Sequence, residues 1–154
     1  MNPVKLVETV YAELRIHCPT RMVTKIFELT HPDSDGVHVK FLVDCLVVQF
    51  RGDTQELSMS VADESEPERW AAVPYLYCYI ENKSDLVLIE SILNSPIQIS
   101  WLAENIDRVY SLMCDPNLKL IKEQFFEFQE TEHKLYLDRM LRSIQEKRGP
   151  AGRS

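Results

Sequence analysis

The sequence predicts one α+β domain: an N-terminal helix, a four-stranded antiparallel meander, and three C-terminal helices packed mainly on one face of the sheet. Three observations carry this expectation. Residues 37–50, VHVKFLVDCLVVQF, alternate with a period of two over the longest apolar run. Clusters of turn formers divide residues 21–80 into strand-length pieces. From Ser84 onward the apolar spacing becomes helical. A chain of 154 residues, 45% hydrophobic and 27% charged, can bury a core without disulfides or metal.

Asn2 and Pro3 supply a cap and a first-turn proline, and Val7, Val10, Tyr11 and Leu14 form a stripe, so a helix is expected that ends before Pro19. Residues 21–29 read as the first strand, with Val23, Phe27 and Leu29 on one face. The six residues 31–36, HPDSDG, read as a turn before the central strand. That strand is taken as residues 37–50, with Val37, Val39, Phe41, Val43, Cys45 and Val47 facing the core. Gly52-Asp53 then turns the chain into a third strand over 54–61. The fourth strand is placed in residues 70–80, where Tyr75, Tyr77 and Tyr79 alternate with Leu76, Cys78 and Ile80; Pro74 removes a backbone donor, so the ordered strand is expected to start after it or to run at an edge.

Ser84 can cap a short helix over 84–93, and Ser95 or Ser100 the next, striped by Leu102, Ile106, Val109 and Met113. Asp115-Pro116 opens a last helical pattern over 116–147. At about 1.5 Å per residue it would be nearly 50 Å long, so a break near Thr131, or a projecting helix that docks on a second subunit, is expected. Residues 1–147 are read as the domain and 148–154, RGPAGRS, as a disordered tail.

Net charge is −7, distributed as 0 over residues 1–51, −8 over 52–110 and +1 over 111–154. An acidic middle argues against direct binding of nucleic acid and favours a basic partner protein. No apolar run reaches the roughly 18 residues of a membrane span, and MNPVKLVETVY has no basic-then-apolar leader pattern, so a cytoplasmic protein without membrane contact is expected. Cys18, Cys45, Cys78 and Cys114 stand about 30 residues apart with no C-x-x-C pair, and are read as reduced, mostly buried thiols rather than a zinc or redox set.

Several motifs have plain explanations. HPDSDGVH at 31–38 collects His31, Asp33, Asp35 and His38, but an EF-hand loop needs an acid at its first place and a glutamate at its twelfth, where His31 and Leu42 stand. A turn accounts for these residues. Arg51-Gly52-Asp53 and Asn82-Lys83-Ser84 match adhesion and glycosylation patterns, and both are explained by turn and cap positions. With four glycines there is no phosphate-binding loop, and no metal or cofactor is expected.

The feature singled out for binding is the acidic loop Asp63, Glu64, Glu66 and Glu68 beside Trp70, followed by the row Tyr75, Tyr77 and Tyr79. Acids next to aromatic anchors suit a basic protein partner, although a solvated loop and sheet-packed tyrosines explain them too. The expected function is a non-catalytic protein-binding module, a small acidic neutraliser of the toxin-immunity type. The alternative is a secretion-type chaperone or dimeric scaffold using the C-terminal helices, where Phe125, Phe126 and Phe128 cannot all point one way and could contact a second copy. A third reading is an enzyme assembled from distant residues, with His38, Lys40 and Asp44 on one strand face as its core.

Overall fold

The computed structural model describes residues 3–30, 36–52, 57–83 and 95–152. Helix α1 (Pro3–His17) leads into strands β1 (Val23–Thr30), β2 (Val37–Val43), β3 (Leu46–Gly52), β4 (Leu57–Asp63) and β5 (Ala71–Ala72). Helices α2 (Val73–Ile80), α3 (Ser95–Glu104) and α4 (Ile106–Cys114) follow, then a single 3-10 turn (Pro116–Leu118) and the long helix α5 (Lys119–Gly152). The α+β class and the antiparallel meander are as the sequence predicts, with five strands among the described residues, in the order β1-β2-β3-β4-β5, instead of four. The cap at Asn2, the turn over 31–35, the residues 53–56 after Gly52 and the short helix over 84–93 lie outside the described residues.

One sheet face is the core. Val37, Val39, Phe41, Val43, Leu46, Val48, Phe50, Met59 and Val61 are at most 4% exposed, and Val10 and Leu14 of α1, Leu102 of α3 and Ile106, Val109 and Met113 of α4 cover them. Burying these large side chains is the main stabilising term. The other face is polar at its centre, where His38 Nε2 and Gln49 Oε1 lie 3.0 Å apart and Gln49 Nε2 donates to Ser60 Oγ at 3.3 Å. No helix among the described residues is long and apolar enough to cross a membrane.

Four sequence expectations need correction. The strand over 37–50 is a hairpin, β2 and β3, joined by Asp44 and Cys45, with Val43 paired to Leu46. Asp44 takes a φ of 53°, a left-handed conformation that a short polar side chain tolerates. Its carboxylate accepts from Arg21 Nη1 at 2.9 Å, and its backbone N–H donates to the Met22 carbonyl at 3.1 Å. Cys45 is therefore a turn residue and not a core-facing strand position.

The fourth strand is instead two residues of β5 followed by α2. Pro74 sits in the first helical turn, where its missing N–H has no helical partner to lose. Val73, Leu76 and Ile80, spaced i, i+3 and i+7, turn towards the core, so tertiary burial overrides the strand preference of an aromatic-rich segment. Cys78 accordingly lies on a helix.

The helix expected over residues 95–113 is two helices. Asn105 ends α3, its Nδ2 donating to the Trp101 carbonyl at 2.9 Å in competition with the backbone, and its own carbonyl accepts the N–H of Val109 in α4. Finally, α5 is unbroken at Thr131 and includes residues 148–152, so those residues of the expected tail are helical. Its 34 residues span about 51 Å. The polar run 129–134 does not stop the helix, because Gln129 and His133 bond to the neighbouring α2–β5 segment.

Candidate functional site

The acidic loop is built by consecutive turns. Asp63 closes β4; the N–H of Glu66 donates to the Asp63 carbonyl at 2.9 Å, and that of Arg69 to the Glu66 carbonyl at 3.0 Å. Asp63 Oδ1 also accepts the N–H of Ser65 at 3.0 Å. The fold then brings basic side chains to this loop. Lys122 of α5, only 6% exposed, lies 2.5 Å from Glu66 Oε1 and 3.7 Å from Asp63 Oδ2. Arg69 reaches Glu66 at 3.3 Å, and its guanidinium lies 4.2 Å from the ring centre of Phe126. The hydrogen bond from Lys122, and secondarily that from Arg69, holds the Glu66 carboxyl below its ordinary range against the opposing effect of burial. Two of the four acids are thus compensated within the chain. Glu64 and Glu68 are exposed and make no ion pair among the described residues.

The aromatic residues do not form a row. On α2 the three tyrosines point to three neighbours: Tyr75 Oη lies 3.0 Å from His133 Nδ1, Tyr77 packs edge-on to Trp101, and Tyr79 contacts Phe125 and Phe128. All three are half-buried. Trp70 stands apart from them, across a cleft of about 310 Å³ that it lines with Ser60, Tyr75, Phe126, Gln129 and His133. Lys40 Nζ lies between two rings, 5.7 Å from Trp70 and 5.8 Å from Phe27.

Phe125 is completely buried, and Phe126 and Phe128 are half-buried against the same core. Their apolar surface is used largely within the chain. Further along α5, Leu137, Met140, Leu141 and Ile144 are 45%, 44%, 56% and 43% exposed at spacing i, i+3, i+4, i+7. Every residue from 137 to 148 is exposed. This is an apolar stripe on a helix surrounded by solvent, and its residues lie beyond the phenylalanines to which the sequence draws attention.

His38, Lys40 and Asp44 are not assembled into a site. His38 bonds to Gln49, Lys40 lies between its two rings, and Asp44 is held at the hairpin turn by Arg21.

The cysteines are more informative in space than in sequence. Cys45 Sγ donates to Tyr110 Oη at 3.1 Å. One donor atom each from Cys45, Asp63 and Cys114 lies within 4.8 Å of the other two. Burial, together with Cys45 and Asp63 nearby, pushes the Cys114 thiol up. Cys18 is pushed up to about 11, chiefly by burial and then by Asp107. Spacing alone could not reveal this group, because its members are 18 or more residues apart. Comparison with protein-family models, with curated proteins and with solved structures gave no match, so the functional reading rests on geometry.

Proposed function

We propose that the protein is a non-catalytic protein-binding module of the dimeric scaffold or chaperone type, and that a second copy of the chain occupies the α5 stripe. The observation that carries this is the run Leu137, Met140, Leu141 and Ile144 exposed on one side of a continuous helix. The spacing of the stripe supports self-pairing. Antiparallel pairing of two α5 helices about a twofold axis between Met140 and Leu141 sets Leu137 opposite Ile144 and Met140 opposite Leu141, so that each stripe covers its copy.

The test is molar mass by light scattering across a concentration series. A dimer is expected for the native chain, and a monomer of unchanged helicity for Leu137→Asp/Leu141→Asp. A native chain that stays monomeric at every concentration overturns the reading, as does a dimer indifferent to both substitutions.

Neutralisation of a basic partner, such as a toxin, is the second reading, and Glu64 and Glu68 favour it. They are the exposed acids of the loop 63–68, within a segment of net charge −8. A pull-down from native lysate at low and high salt tests it: one basic protein retained in stoichiometric amount, and lost on Glu64→Lys/Glu68→Lys, is the expected result.

A further inference from the structure

We propose that Cys45, Asp63 and Cys114 form a zinc site with three protein ligands and a fourth position open to water. Two sulfurs and a carboxylate oxygen lie within 4.8 Å of one another. On a tetrahedral zinc ion, bonds of about 2.0–2.3 Å set such donors roughly 3.5–3.8 Å apart, so a contraction of about 1 Å closes the site. Side-chain rotation can supply that. Two thiolates with one carboxylate suit zinc better than calcium or magnesium, which prefer all-oxygen ligands.

The ligands come from three well-anchored places. Cys45 lies in the β2–β3 turn, Asp63 ends β4 and Cys114 ends α4. The pairing of Leu46 with Asp63, and the bond from the Glu64 N–H to the Cys45 carbonyl at 2.8 Å, fix the first two relative to each other. Val109 and Met113, fully enclosed in the core, fix the helix that carries the third. All three ligands are only half-buried, which leaves water access to the fourth position.

Neighbouring groups complete the charge and hydrogen-bond balance. Two thiolates and a carboxylate carry −3 and zinc brings +2, and the buried ammonium of Lys122, bonded to Glu66 and 3.7 Å from Asp63 Oδ2, stands beside the remaining charge. Tyr110 Oη, which now accepts from the Cys45 thiol at 3.1 Å, can donate to the thiolate once zinc has displaced its proton. The Arg21 guanidinium, 3.9 Å from the centre of the Tyr110 ring, holds that ring in place.

The experiment uses the full chain, reduced and stripped of metal by chelation, and titrates it with cobalt and then with zinc. The expected result is a thiolate-to-cobalt charge-transfer band with the intense visible absorption of tetrahedral cobalt, removed by one equivalent of zinc. Cys45 and Cys114 should then be protected from alkylation by zinc, as read by mass spectrometry on the native chain. Cys114→Ser should weaken zinc by more than the roughly 10–100-fold that losing an outer partner costs. Absence of the band, with alkylation of both cysteines unchanged by zinc, overturns the proposal. So does zinc affinity that survives in Cys45→Ser/Cys114→Ser, which would place the metal elsewhere.

Discussion

Arg69 grips Glu123 with two hydrogen bonds, Nη1 to Oε1 at 2.7 Å and Nη2 to Oε2 at 2.6 Å, across 54 residues of sequence. The pair clamps the acidic loop to α5, and the same guanidinium lies over Phe126. A planar fork can make both contacts at once, which a point charge cannot. This clamp, together with Lys122, sets the geometry of the loop.

Arg69→Ala should therefore lower stability by about 1 kcal/mol, the sum of a partly screened bidentate pair and a ring contact. Arg69→Lys keeps the charge but should restore less than half of the loss. Urea denaturation of the two variants beside the native chain measures both.

Lys122→Met removes the buried cation and leaves Asp63 and Glu66 facing each other without it. Both carboxylates keep some access to water, so the cost at neutral pH should be about 2 kcal/mol, below that of breaking a fully buried pair. The pH dependence has a definite sign. The folded Glu66 carboxyl lies below its ordinary value of 4.5, first because of the Lys122 hydrogen bond. Its contribution is complete above that value and disappears as pH falls through the lower folded one. The stability difference between native chain and variant should shrink on acidification below about pH 4.5, which denaturation at a series of pH values checks.

Asp44 joins a backbone requirement to a charge pair, and two substitutions separate them. Asp44→Ala forfeits both the left-handed tolerance and the bond to Arg21, whereas Asp44→Gly forfeits only the latter. Thermal unfolding should place the glycine variant about 1 kcal/mol above the alanine variant.

That turn also shows how much could be read in advance. In residues 37–50 the even positions become apolar at Leu46, and a two-residue turn at 44–45 produces that change of parity, since Val43 and Leu46 then share a face. The period of two was legible, but a continuous strand and a tight hairpin give nearly the same pattern. In residues 73–80 the helical set Val73, Leu76, Ile80 coexists with the alternation of tyrosines, and Pro74 fits a first helical turn better than a strand. The apolar stripe at 137–144 was fully visible as spacing, and its exposure was not. The compensation of the acidic loop was hidden altogether, because Lys122 and Glu66 are 56 residues apart. Local periodicity reports which faces are buried; pairings of this separation depend on how the elements meet.

Gln129 finishes the sheet at β5, its last strand among the described residues. Its Oε1 accepts the Ala72 N–H at 2.9 Å, and its Nε2 donates to the Trp70 carbonyl at 3.1 Å. One side chain thus satisfies a donor and an acceptor of the edge backbone, as a neighbouring strand would. Gln129→Leu keeps much of the volume but leaves both groups without these bonds. Amide exchange at Ala72 should quicken relative to the native chain, while Val48 in the central strand β3 should exchange as before. If Ala72 remained equally protected, the clamp would not be what holds β5 to α5. Stability should fall by about 1–2 kcal/mol, because the two backbone groups are only partly shielded from water and can recover some hydration.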